Sequence, residues 1–119
     1  MRISELSAKT QVSVDRLRRY EALGLIASQR QPNGYRDYDA KIVRHVIFIA
    51  MSREMGFSLA QVAEYLPRFK TGQLTSEEMV QAIRQRVAEV DQAIASLKAL
   101  RRMLLNHIDW FQSKPRKTP

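Results

Sequence analysis

The chain has 119 residues, 45% hydrophobic and 27% charged, with four Gly, four Pro and no Cys. This allows one ordinary core, leaves no room for two catalytic domains and does not fit a disordered chain. It also excludes disulfides, thiolate metal sites, iron–sulfur clusters and thiol switches. Twenty Lys and Arg against twelve Asp and Glu give a formal charge of +8, which points to a polyanionic partner, nucleic acid first. The longest apolar run, Val46 to Met51, is six residues, far below the roughly 20 that span a bilayer. No basic-then-apolar leader opens the chain, so a cytoplasmic location without a membrane partner is expected.

Residues 3 to 23 read as two short helices around a tight break at Gln11-Val12-Ser13. Ser4 is expected to cap the first helix and Ser13 the second, because a side-chain oxygen there accepts an amide of the first turn. Leu6 faces inward from the first helix, Val14, Leu17 and Leu23 from the second, and Val12 fills the turn. The result is a helix-turn-helix whose second helix carries Arg16, Arg18, Arg19 and Tyr20, with Asp15 and Glu21 as nearby acids.

Gly24 is placed to end that helix in a left-handed cap. Asn33-Gly34 between two short extended stretches signals a hairpin, which makes a wing bearing Arg30, Tyr35, Arg36 and Tyr38. Asp39 is expected to cap a third helix running to about Met55. Its apolar positions Ile42, Val43, Val46, Ile47, Ile49 and Ala50 predict burial on most sides. Ser58 with Gln61 has capping-box spacing and opens a fourth helix through Val62, Leu66 and Phe69, whose last turn Pro67 is expected to distort.

After a linker at 70–75, Thr75 with Glu78 opens a long helix. Val80, Ile83, Val87, Val90, Ile94 and Leu97 recur in steps of three and four; Arg101 interrupts, then Leu104 and Ile108 resume the frame. This is a heptad seam, on a rod longer than a small domain's own core needs, so a partner chain is its expected occupant. The fold expected is mainly α: a winged helix-turn-helix DNA-binding domain at 1–70, a linker and dimerisation coiled-coil helix at 71–112, and a basic flexible tail at 113–119.

Three stretches, ISELSAKTQVSVDRLRRYEALGLI, NGYRDYD and REMGFSLAQVAEYL, follow one another in the order and spacing of the MerR family of transcriptional regulators, which the chain resembles over about residues 1 to 69. The resemblance implies a homodimer joined by an antiparallel coil and bound to a palindromic promoter element. Such a dimer bends and untwists the duplex for RNA polymerase in response to a signal. It also implies that Arg18, Tyr20, Tyr35, Arg36 and Tyr38 contact DNA backbone, that Arg53 adds a phosphate contact, and that Arg16 reaches bases. Arg19 stands where the family usually has Tyr or Phe. Independently, arginine forks suit phosphates and guanine edges, and tyrosine hydroxyls add backbone bonds.

The ending LNHIDWFQS is similar to carboxy-terminal segments of an aldehyde-stress branch, which often relies on a cysteine missing here. His45 and His107 stand apart from any carboxylate at ligand spacing, so no metal or other cofactor is expected. In an antiparallel coil, Trp110 and Phe111 would lie near the partner's linker, where Phe69, Leu74 or Met79 could complete a site for a small apolar or aromatic effector. An enzyme is not expected, for want of a cysteine nucleophile, a glycine-rich phosphate loop or a paired histidine-carboxylate group. Two other readings are open: an architectural DNA-binding protein or simple repressor without an effector, and an interaction module whose coil pairs with another regulator, Arg101 selecting the partner.

Overall fold

Residues 1–113 are described by the computed structural model. In chain order they form α1 (Ile3–Thr10), α2 (Val14–Ala22), β1 (Gln29–Arg30), β2 (Arg36–Asp37), α3 (Ile42–Glu54), α4 (Leu59–Lys70) and α5 (Ser76–Ser113). The expected basic tail lies, from residue 114 onward, outside the described residues. The chain divides into two compact units, one over Met1–Val80 and one beginning at Gln81.

Local signals set most element ends. The Ser13 hydroxyl accepts the Arg16 amide at 3.2 Å and starts α2. Gly24, at φ +78°, stops it: the Gly24 amide bonds the Glu21 carbonyl and the Leu25 amide the Tyr20 carbonyl, the paired pattern that a left-handed residue after a helix permits. Both capping boxes form, Ser58 with Gln61 and Thr75 with Glu78. The wing is an antiparallel pair with Gln29 opposite Asp37 and Arg30 opposite Arg36. Its turn is closed by the Gly34 amide on the Gln31 carbonyl and by the Tyr35 amide on the Asn33 side chain at 3.1 Å.

In the first unit α1 packs on α2 and on α3, and α3 on α4. Leu6, Leu17, Val46, Ile49, Val62 and Leu66 are sealed in the core, each worth about 1.5–3 kcal/mol when fully buried. Phe48 of α3 stacks on Phe69 of α4 at 4.2 Å between ring centres, and the Arg44 guanidinium lies 4.8 Å over the Phe69 ring. Beyond Lys70 the chain turns through Gly72, and Arg68 forms an ion pair with Glu78. The Arg68 hydrogen bond, then the Thr75 amide, hold the Glu78 carboxyl below its ordinary pKa.

Several expectations need correction. Arg2, not Ser4, is the residue before α1, and no side chain caps that end. Leu23 is exposed rather than inward, because α2 ends at Ala22 and Leu23 already belongs to the turn. The third helix starts at Ile42, and the Asp39 carboxylate instead accepts the Lys41 amide in the preceding turn. It is also less enclosed than its composition suggested, since Ile47 and Met51 face outward. The fourth helix runs through Phe69 as expected, with Pro67 inside it, and ends at Lys70.

The long helix has 38 residues, a rod of roughly 57 Å at 1.5 Å per residue. None of its residues is buried. The whole predicted seam, Val80, Ile83, Val87, Val90, Ile94, Leu97, Leu104 and Ile108, is exposed, and so are Leu100, Met103 and Leu105. At 3.6 residues per turn Leu105 falls on the seam, whereas Leu100 and Met103 widen the apolar face over the last third of the rod.

Candidate nucleic-acid interface

Helical geometry divides α2 into two arcs. At 3.6 residues per turn Arg18, Asp15, Arg19 and Arg16 follow one another around one side, opposite Leu17. All four are exposed, and Leu17 is buried. A helix with a charged arc of this width and a firmly anchored opposite face can enter a major groove and present several guanidinium groups to it.

The expected cations gather in two clefts of the first unit. One, of about 370 Å³, is lined by Arg2, Ile3, Arg18, Tyr35, Arg36 and Tyr38. The other, of about 630 Å³, brings Arg16, Arg19, Tyr20 and Arg53 together over a floor that includes Leu23, Ile47 and Met51. The residues expected at DNA thus fall on two separate basic surfaces, one centred on the wing and one between α2 and α3.

The tyrosines divide differently. Tyr35 is exposed on the wing, as a backbone contact requires. Tyr38 is only 1% exposed, and its hydroxyl donates to the Glu21 carboxylate at 2.6 Å. It therefore supports the wing from inside instead of facing a phosphate, which corrects the expectation for that residue. Tyr20 is also buried, at 4%, and its hydroxyl accepts from the Arg16 guanidinium at 2.7 Å. Its effect on a ligand would pass chiefly through the aim it gives Arg16. Arg53 remains exposed while one of its nitrogens donates to the Phe57 carbonyl at 2.7 Å. That bond fixes the guanidinium at the end of α3.

Two residues that the sequence pattern did not single out organise the wing. Glu21 accepts hydrogen bonds from Ser28 at 2.6 Å, Tyr38 at 2.6 Å and Arg36 at 3.3 Å. Burial pushes its carboxyl pKa up, but the Ser28 and Tyr38 hydroxyls and the Arg36 charge outweigh burial and leave it below the ordinary value. Burial and then the Glu21 carboxylate push the Tyr38 phenol the other way, upward. One signal was available: Glu21 lies one turn after Leu17 on the inward face of α2, where an acid needs partners. Arg2 gave none, because only tertiary pairing brings it to the wing.

The residues expected to hold an effector are distributed as follows. Phe69 is engaged with Phe48, and Met79 is half-buried in the first turn of α5. In the second unit Trp110 and Phe111 meet edge to face at 4.7 Å and both are exposed. Among the described residues no cluster of three His, Cys, Asp or Glu could hold a metal ion, and no helix is long and apolar enough to cross a membrane.

Comparison with known proteins agrees with this architecture. Residues 1–68 match the family described as MerR HTH family regulatory protein, and residues 43–107 match the one described as MerR, DNA binding. The chain is 34% identical over 104 residues to the HTH-type transcriptional regulator HmrR of Rhizobium leguminosarum bv. viciae, covering 87% of this chain and 81% of that protein. It is 31% identical over 106 residues to the mercuric resistance operon regulatory protein of Bacillus cereus, covering 88% and 80%. Among solved structures it resembles PbrR691 of Ralstonia metallidurans CH34 in complex with lead(II), with a TM-score of 0.73 and 28% identity over 99% of this chain and 90% of that one. It shares a fold with HiNmlR, a MerR family regulator lacking the sensor domain and bound to promoter DNA, at a TM-score of 0.60 and 22% identity over 94% and 86%. With the winged helix-turn-helix, the exposed arginine arc and the long carboxy-terminal helix, these matches show that the chain belongs to the MerR family of DNA-binding transcription regulators and is not an enzyme.

Proposed function

We propose that the protein acts as a homodimer on a palindromic promoter element, bending and untwisting the duplex so that RNA polymerase can use it, in response to a signal that is not a thiol reaction. The observation that carries this reading is the combination, in one chain, of an exposed arginine arc on α2 with a 38-residue helix none of whose residues is buried. A lone recognition helix reads few bases; two joined by a coil read a site with matching symmetry. The seam from Val80 to Ile108 supports self-pairing, and the MerR resemblance supports an antiparallel direction, which puts the dyad near Ile94.

Within this reading Arg18, Tyr35 and Arg36 fix the register on backbone, Arg16 reaches base edges, Arg19 beside it meets either a phosphate or a guanine edge, and Arg53 holds a phosphate beside α3. The 1–70, 71–112 division corresponds to DNA reading followed by dimerisation, in a cytoplasmic protein. Relatives bear names tied to mercuric resistance and lead, yet this sequence contains no cysteine. A small apolar or aromatic effector meeting Trp110 and Phe111 is the corresponding proposal here. Titrating such compounds while following the emission of Trp110, the sequence's one tryptophan, tests it: unchanged emission and DNA affinity across the series would remove it.

The test of the main reading is a footprint and salt titration on the DNA upstream of the protein's own gene, beside a scrambled duplex of equal length. A compact palindromic protected site, preferred at physiological salt, is the expected result. Equal and steeply salt-sensitive binding to both duplexes would replace it with the architectural reading.

A further inference from the structure

The wing-side cleft contains a cation that belongs to neither the recognition helix nor the wing. The Arg2 guanidinium carbon lies 3.8 Å from the centre of the Tyr35 ring. Arg2 is brought there by backbone pairing: the Tyr38 amide donates to the Met1 carbonyl at 2.7 Å, and the Met1 nitrogen donates to the Tyr38 carbonyl at 2.8 Å. The residue before α1 is thereby fastened along the second strand of the wing, and its side chain crosses to the ring next to Arg18 and Arg36.

The charges of this cleft are unevenly compensated. Arg36 pairs with Glu21 at 3.3 Å, and Asp37 pairs with the Met1 nitrogen at 2.8 Å. Arg2 and Arg18 have no carboxylate within 4.0 Å among the described residues. A guanidinium stacked on a ring keeps its N–H donors pointing outward in its own plane, and the ring limits its rotation, so binding an anion costs it less freedom. We infer that Arg2, stacked on Tyr35, is a further DNA phosphate-binding residue that closes the wing-side cleft together with Arg18. This rests on the DNA-binding reading above. Backbone phosphate is the ligand, rather than a base edge, because the cation stands between the wing and the Arg18 edge of the α2 arc, beside the residues proposed above to hold backbone and in a different cleft from Arg16 and Arg19.

The test uses the full chain and two duplexes, the footprinted site and its scramble. Removing one cation from a phosphate reduces the salt dependence by about one ion, which between about 50 and 200 mM salt is a roughly three- to fourfold effect per protomer. Arg2→Ala should therefore bind both duplexes more weakly at low salt, and its deficit should shrink by that factor as salt rises. Tyr35→Leu should reproduce part of the loss of slope, whereas Tyr35→Phe, which keeps the ring but loses the hydroxyl's backbone bond, should bind both duplexes more weakly at every salt concentration with the slope conserved, a neutral hydroxyl releasing no counterion. Circular dichroism checks that the variants fold, and Arg2→Gln replaces Arg2→Ala if the latter does not. Wild-type binding with an unchanged salt slope in the Arg2 variant would overturn the inference alone. Loss of preference for the footprinted site without a change in slope would mean that Arg2 reads a base, which overturns it too. Failure of the wild type to bind either duplex would overturn the DNA reading itself.

Discussion

The two units of this chain use apolar residues in opposite ways. Over Met1–Val80 leucines, valines and aromatics alternate with charge closely enough to close a core, and Leu6, Leu17, Val46 and Val62 have essentially no exposed surface. Along α5 the apolar residues are as frequent but lie on one stripe, and the seam from Val80 to Ile108 is exposed throughout. A single long helix has no inside, and helical stability in water comes mainly from packing an apolar face. The first unit therefore carries its fold in its own sequence, while the second requires another surface. That separation suits a DNA reader, because the proposed dimer interface would set the spacing of two arginine arcs without changing what either arc touches.

The largest effect is expected at the seam. Ile94→Lys sets two like charges together near the proposed dyad and should raise the dimer dissociation constant by about a thousandfold, about 4 kcal/mol, with loss of specific DNA binding. Sedimentation and gel-shift measurements check both, and an intact dimer would mean a different register or direction of pairing. Next in size is Leu17→Ala in the first unit, expected to cost about 2–4 kcal/mol through the reduced burial and the cavity left behind. Its melting temperature should fall to the same extent at every protein concentration, whereas the seam variant's should depend on concentration.

Glu21→Gln sharpens the account of the wing. It weakens three hydrogen bonds to a carboxylate and should cost about 1.5 kcal/mol at neutral pH. Because the folded pKa of Glu21 lies below its ordinary 4.5, the carboxylate stabilises the fold above that pH and ceases to as pH falls through the folded value. The stability gap between wild type and variant should therefore be full at pH 7 and close in acid; a gap that widened in acid would contradict the assignment. The smallest effect is expected at Ser52, whose buried hydroxyl has no hydrogen-bond partner among the described residues. Ser52→Ala should be neutral or stabilising by up to about 1 kcal/mol in denaturant titration.

What could be read from the sequence was set by distance along the chain. The caps at Ser13, Ser58 and Thr75, the stop at Gly24 and the turn at Asn33-Gly34 each depend on residues within four positions, and all formed. Arg16, Arg18 and Arg19 are exposed because their helical spacing opposes Leu17. The misreadings involve distant partners or an element end. Tyr38 lies in a wing motif associated with DNA contacts, yet its hydroxyl finds Glu21, seventeen residues earlier. Leu23 looked inward by periodicity, but the helix ends before the period reaches it. Arg2 reaches Tyr35 only because Met1 pairs with Tyr38 across 37 positions.

The most direct test is sedimentation of the 119-residue chain at micromolar concentration, alone and with one equivalent of the footprinted duplex. A homodimer is a particle of twice 13.8 kDa that keeps its mass across a dilution series and binds the duplex as two chains, and this is the expected result. A 13.8 kDa monomer with a stable, fully helical α5, binding the duplex as one chain, would contradict it, because the exposed seam would then need no partner.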